Sequence, residues 1–303
     1  MRRFFIVFLL SSLAFAQAPL RPKHAQHAMV VSAHELASKA GVEAMKRGGN
    51  AVDAAVATGF ALAVVHPQAG NIGGGGFMLV RFAKGDAHFV DYREKAPAAA
   101  TRTMYVDAQG NIVPNASLIG YKAIAVPGSV AGLYYAHKKW GKLSWASLLA
   151  PAVRMARAGF PLSQEDCDDL TRSEESKALS EFPATKRIFG RGGKPCEQGE
   201  VFRQPELART LTRLAKDPME FYKGAMAREL AAFLKQHGGL ITAQDLAAYE
   251  VKERRPIHGW YRGYEIVSSP PPSSGGITLI ETLNILEGYD LAKLGRSAEA
   301  IHL

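Results

Sequence analysis

The chain has 303 residues, of which 47% are hydrophobic, 9% aromatic and 21% charged. That length and apolar share can bury a core for one large domain or two modest ones without metals or dense disulfides, and they exclude disordered, collagen-like and coiled-coil classes. Lysine and arginine outnumber aspartate and glutamate by 37 to 28, a formal charge of +9, but cations alternate with acids, as in Lys252-Glu253-Arg254-Arg255, so no nucleic-acid-binding stripe is indicated.

Met1-Arg2-Arg3, the apolar run from Phe4 to Leu10 and the small-residue stretch Ala14-Phe15-Ala16-Gln17-Ala18 are the three parts of a secretory signal peptide. The apolar run falls short of the roughly 20 residues that span a bilayer. The expectation is a signal peptide over residues 1–18, cut after Ala16 or Ala18, and a secreted or periplasmic chain with no membrane attachment. Losing Arg2 and Arg3 leaves a mature charge of 9 − 2 = +7. In such an oxidising space Cys167 and Cys196 are able to form one disulfide, and two unpaired thiols remain the alternative.

Residues 19–26 read as an exposed lead and Met29-Val30-Val31 as a strand. Leu36, Ala40 and Ala44 recur at helical spacing, and Gly48-Gly49 stops that helix with the positive φ that a C-terminal cap uses. Asn50 caps a second helix, with Asp53 in its first turn at the positive end of the dipole. From Ala51 to Val65 only Asp53 and Thr58 are polar, so this helix is apolar all round and must be buried; His66-Pro67 ends it. The run Gly70 to Gly76 turns into a strand at 77–82, and Lys84-Gly85-Asp86 turns that strand into another at 87–92, which predicts a hairpin. Helices are predicted over 129–139 and 144–158, the latter broken or kinked at Pro151. Between Phe160 and Phe202 the sequence has no clear period and reads as surface loops and short helices.

Leu207, Leu211 and Leu214 mark another helix, closed by Asp217-Pro218, and a longer one runs through Phe221, Ala227, Leu230 and Leu234 to Gly238-Gly239. Thr242 to Asp245 forms a capping box. A second hairpin is signalled by Arg262-Gly263 between 257–261 and 264–267; beyond a Pro-, Ser- and Gly-rich loop, Leu279, Ile280, Leu283 and Leu286 trace a helix. Ser297 caps a last turn that reaches only Leu303, which reads as a chain cut inside an element. No repeat or linker divides 19–303, and helices mixed with antiparallel hairpins predict an α+β fold, a sheet covered by helices.

Few residues offer chemistry. Gly73 to Gly76 lacks a following Gly-Lys-Ser/Thr and enters a strand rather than a helix, so it reads as a close-packing turn and not a phosphate cradle. The nine histidines stand singly, which disfavours a zinc site. Glu165-Asp166 and Asp168-Asp169 read as a solvated cluster, and Ser273-Ser274-Gly275-Gly276 as ordinary loop chemistry, with a nucleophile or an anion-binding turn as the alternative. Arg93, in Tyr92-Arg93-Glu94-Lys95-Ala96-Pro97 at a strand exit, is the residue able to hold a substrate carboxylate through two charge-assisted bonds; a surface pair with Glu94 is the alternative.

Six blocks in order, from Gly48-Gly49-Asn50-Ala51-Val52-Asp53 through Val64-Val65-His66-Pro67, Gly70 to Phe77, Asp91 to Pro97 and Val126 to Gly132 to Pro271-Pro272-Ser273-Ser274-Gly275-Gly276, closely resemble the γ-glutamyltranspeptidases, also called glutathione hydrolases. Gly224, Gly238 to Thr242 and Asp245 to Tyr249 match too, so the resemblance runs from about Met29 to Leu303. It implies an N-terminal nucleophile hydrolase with a four-layer αββα fold, of which this chain would hold only the large-subunit part. The family is made as an inactive precursor that cuts itself into a large and a small subunit. The small subunit's N-terminal threonine, with its own α-amine as base, attacks the γ-glutamyl amide of glutathione, and water or an acceptor amino acid or peptide resolves the acyl-enzyme. The resemblance gives Arg93 the α-carboxylate of the γ-glutamyl group, and no cofactor or metal. The family's Thr-Thr-His-like processing motif does not occur in residues 1–303. The chain is therefore expected to lack a catalytic residue, to need the small subunit as partner and to be inactive alone. A secreted non-catalytic binder of a small acidic ligand and an acylase-type relative acting on other amides are the competing readings.

Overall fold

The computed structural model describes residues 24–172, 181–190, 192, 194 and 196–303; the expected signal peptide at 1–18 lies outside them. The first described elements are two helices, α1 (Glu35–Lys46) and α2 (Ala51–Val65). His34 Nδ1 caps α1 by accepting the Leu36 N–H at 3.1 Å, and Gly48, at φ +90, ends it. Asn50 caps α2 as expected, and Asp53 goes further than its expected dipole role by closing a capping box with it. Asp53 is fully buried and its carboxylate also accepts the N–H groups of Lys142 and Leu143, which ties the start of α2 to a loop some ninety residues on. Val56, Phe60, Val64 and Val65 on α2 are all buried, each contributing about 1.5 to 3 kcal/mol of apolar burial. Met29-Val30-Val31 forms no strand and pairs with nothing among the described residues, and Met29 and Val31 are exposed; the expected strand has no hydrogen-bonding neighbour to make it one.

Strands β1 (Phe77–Arg81) and β2 (Ala87–Asp91) make the expected hairpin, with Phe77 opposite Asp91. Helices α3 (Ser129–Trp140) and α4 (Trp145–Ala158) follow, and both pack on α2. Helix α4 runs through Pro151, so of the break or kink expected there the break does not occur. Proline removes the N–H that would reach the Ser147 carbonyl, and Arg47 Nη2 donates to that oxygen instead, at 3.2 Å.

The stretch expected to be irregular contains a short strand pair, β3 (Phe160–Pro161) and β4 (Val201–Phe202), around helices α5 (Gln164–Arg172) and α6 (Pro183–Phe189). Cys167 and Cys196 are disulfide-bonded, which decides between the two alternatives left by the sequence. Helix α7 (Pro205–Lys216) buries Leu211 and Leu214 against α4. The single long helix expected from Phe221 to Leu234 is two, α8 (Glu220–Lys223) and α9 (Ala225–Gln236): Gly224 is extended at φ −95, ψ −158, and its N–H closes α8 on the Glu220 carbonyl. Then come α10 (Ala243–Ala247), capped by Thr242, and β5 (Lys252–Arg254), which pairs with β2 and completes a sheet of order β1-β2-β5.

A second antiparallel hairpin, β6 (Ile257–Tyr261) and β7 (Tyr264–Ser268), turns at Arg262 and Gly263, both at positive φ, as a two-residue hairpin requires. Helix α11 (Gly275–Leu286) packs on that hairpin, and α12 (Leu291–Leu294) and α13 (Ala298–His302) follow. The fold is α+β with every described strand pair antiparallel. Its main core ends at Leu246, so Trp260, Tyr264, Ile277 and Ile285 beyond it are exposed. No described helix is long and apolar enough to cross a membrane.

Candidate active-site strand exit

Strand β2 ends at Asp91, and the next four residues leave the sheet held on every side. Tyr92 pairs with Gly76 through both backbone groups and is buried, which pushes its phenol up to about 12. A Cβ at Gly132 would collide with the Tyr92 ring, and one at Gly128 would collide with the Tyr92 carbonyl and the Tyr249 hydroxyl. The Val-Pro-Gly-Ser-Val-Ala-Gly block is thus small where Tyr92 passes.

Gly74 explains the glycine run. Its carbonyl oxygen accepts the N–H groups of Gly128 and Ser129 at 2.7 and 3.0 Å, and its own N–H donates to Asn71 Oδ1. The run thus sets a carbonyl acceptor against the start of α3, the close-packing turn that the sequence reading favoured.

Arg93 sits where both of its backbone groups are bound by side chains. Its N–H donates to Asp91 Oδ1 at 3.0 Å, and its carbonyl accepts the Tyr249 hydroxyl at 2.8 Å. The other Asp91 oxygen takes Arg254 Nε at 2.7 Å, so one buried carboxylate joins the strand exit to β5. The guanidinium lies 5.9 Å from the centroid of the Phe77 ring and 2.9 Å from Glu94 Oε2, and it is 54% exposed. That oxygen is buried and has no hydrogen bond besides this ion pair. This is the pair with Glu94 that the sequence left as the alternative; it occupies Nη1, and the half-exposed remainder of the planar fork can still meet a carboxylate. Lys95 closes the segment: its backbone pairs with Val126, and its ammonium donates to the Glu250 carbonyl at 2.9 Å, 5.0 Å from the Tyr249 ring centroid.

The other candidates are structural. Asp166 accepts both the backbone and hydroxyl protons of Ser163 and lies 3.6 Å from His34, while Gln164 donates to Asp168. Ser273 Oγ accepts from Ser269 and from the Gly275 N–H, with no histidine beside it to activate it. No group of three potential metal ligands occurs among the described residues. An open cavity of about 510 Å³, lined by Ile257, His258, Ile277, Ile280, Glu281, Asn284 and Ile285, lies between β6 and α11 and does not include Arg93. Sequence reasoning missed Asp91 and Tyr249 as partners of Arg93; Asp91, two residues away at a strand end, carried an Asx-turn signal, but Tyr249 is 156 residues distant.

A sequence model of the Gamma-glutamyltranspeptidase family matches residues 37–303. The chain belongs to the γ-glutamyltranspeptidase family. It is 49% identical, over 95% of its own length and 50% of the relative's, to a glutathione hydrolase proenzyme of Pseudomonas sp. (strain A14). It is 38% identical, over 93% of its length and 52% of the relative's, to the acylase ACY 1 proenzyme of Pseudomonas sp. (strain SE83). The crystal structure of Helicobacter pylori γ-glutamyltranspeptidase superposes with a TM-score of 0.89 at 44% identity, covering 93% of this chain and 81% of that one. The chain therefore spans about half the length of the curated relatives it matches. Its α+β class is that of its γ-glutamyltranspeptidase and N-terminal nucleophile hydrolase neighbours.

Proposed function

We propose that this chain is the large-subunit part of an exported γ-glutamyltranspeptidase and supplies the grip on the donor's α-carboxylate. The observation that carries the reading is Arg93, fixed through its backbone at a strand exit, with its guanidinium half-exposed and paired only with Glu94 among the described residues. In this scheme a threonine at the start of a small subunit, cut from the same precursor, attacks the γ-carbonyl of glutathione. Its own α-amine takes the hydroxyl proton and returns it to the leaving amine, and water or an acceptor amino acid or peptide then releases the γ-glutamyl group. Arg93 acts before that step, setting the donor so that its γ-carbonyl meets the nucleophile. Lacking nucleophile and oxyanion donors, the 303-residue chain alone is inactive. The Cys167–Cys196 bond supports passage through an oxidising compartment, and with it the signal peptide at 1–18 and a mature domain at 19–303.

The test is release of p-nitroaniline from γ-glutamyl-p-nitroanilide by the full-length, processed protein. Turnover that falls with Arg93→Ala through a raised KM supports the proposal; no turnover by the processed protein overturns it. The acylase likeness favours a second reading, hydrolysis of other amides, in which γ-glutamyl donors are poor substrates whatever residue stands at 93. A non-catalytic binder would instead hold glutathione on the purified chain in calorimetry, where the fragment reading expects no measurable heat.

A further inference from the structure

We infer that Tyr249 is a positioning residue for Arg93, acting through the Arg93 carbonyl and not on the donor; the inference rests on the role proposed for Arg93. Residues 93–98 are sewn to residues 245–250 at three points: Tyr249 Oη to the Arg93 carbonyl at 2.8 Å, Lys95 Nζ to the Glu250 carbonyl at 2.9 Å, and the Ala98 N–H to Asp245 Oδ1 at 2.8 Å. Only the first reaches Arg93 itself. With the Asp91 bond to the Arg93 N–H, it fixes both peptide planes flanking the Arg93 Cα, and so the direction from which the side chain starts.

The Tyr249 ring is itself fixed. It stacks on Tyr222 with centroids 5.7 Å apart, and Tyr222 Oη donates to the Pro127 carbonyl while accepting the Ala131 N–H, both at 3.1 Å. The start of α3 thereby sets Tyr222, Tyr222 sets Tyr249, and Tyr249 sets Arg93. Gly128 is part of the same device, because any side chain there would strike the Tyr249 hydroxyl. Burial, with the charges of Asp91 and Glu94 adding to it, pushes the Tyr249 phenol above its ordinary range, so it stays a proton donor at working pH.

Tyr249→Phe removes one hydroxyl and keeps the stack on Tyr222, the Lys95 contact and the other two stitches, so the variant is expected to fold. In the full-length processed enzyme with γ-glutamyl-p-nitroanilide, KM should rise about five-fold, the loss of one net hydrogen bond, with kcat nearly unchanged. In an Arg93→Ala background the same substitution should leave KM where Arg93→Ala alone puts it. A merely structural Tyr249 would lower the melting temperature and leave the wild-type KM alone, which overturns the inference. An equal KM effect in both backgrounds also overturns it, since Tyr249 would then act on the donor without Arg93. If Arg93→Ala itself leaves KM unchanged, the proposed role of Arg93 fails and the inference with it, whereas failure of the inference alone shows as a strong Arg93→Ala effect beside a silent Tyr249→Phe. Should Tyr249→Phe prove unstable, Tyr222→Phe, which loosens the ring stacked on Tyr249 through loss of the Pro127 and Ala131 bonds, provides the second variant and must raise KM in the wild-type background only.

Discussion

Gly128 has no room for a methyl group: the Tyr92 carbonyl and the Tyr249 hydroxyl occupy the space a Cβ would take. Gly128→Ala should cost about 1 to 3 kcal/mol, as overpacking of a rigid site does, measured as a shift of the urea unfolding midpoint. A second residue-scale expectation concerns acid. The Lys139 ammonium beside Glu253, joined by Tyr135 and His88, holds the Glu253 carboxyl down to about 2 from an ordinary 4.5. A depressed folded value means that its stabilisation is present above pH 4.5 and is lost as pH falls through about 2. Glu253→Gln should therefore lower stability at neutral pH and flatten its decline between pH 4.5 and 2, as read by unfolding midpoints across that range.

At the scale of elements, Asp53 joins α2 to the loop after α3 by accepting the Asn50, Lys142 and Leu143 N–H groups inside the core. Asp53→Ala strands those donors, and a loss of about 3 kcal/mol or more is expected in chemical denaturation. The disulfide, closing 29 residues of chain, should contribute roughly 3 kcal/mol, seen as the difference in unfolding free energy with and without reductant. What was legible in the sequence at this scale was local. The Asn50 cap, the apolar run to Val65 and the Arg262-Gly263 turn each declare themselves within a few residues, and each stands in the structure. The break at Gly224 was not legible, because a lone glycine within a helical pattern is tolerated as often as it interrupts. That α4 continues through Pro151 was not legible either, because the group that satisfies the carbonyl it orphans, Arg47, lies a hundred residues away. The place of Arg93 just after a strand was readable, whereas its contact with Tyr249 was not, since only tertiary folding brings that hydroxyl to the Arg93 carbonyl.

For the whole molecule, the main core closes around α2, while the hairpin β6–β7 and α11 keep apolar faces in solvent, with Trp260 63% and Ile285 57% exposed. Exposed apolar surface on this scale favours association. The chain expressed alone should bind a hydrophobic dye and self-associate in light scattering, and co-production with the small subunit proposed as its partner should suppress both.

The central claim is that Arg93 holds the donor by its α-carboxylate. It is tested most directly by the ratio of kcat/KM for γ-glutamyl-p-nitroanilide to that for 4-aminobutyryl-p-nitroanilide, which lacks only that group, in the full-length enzyme with Arg93 and with Arg93→Ala. Two charge-assisted bonds give an expected ratio of about a hundred or more in the parent, collapsing toward one in the variant. A ratio that survives the loss of Arg93 would contradict the account.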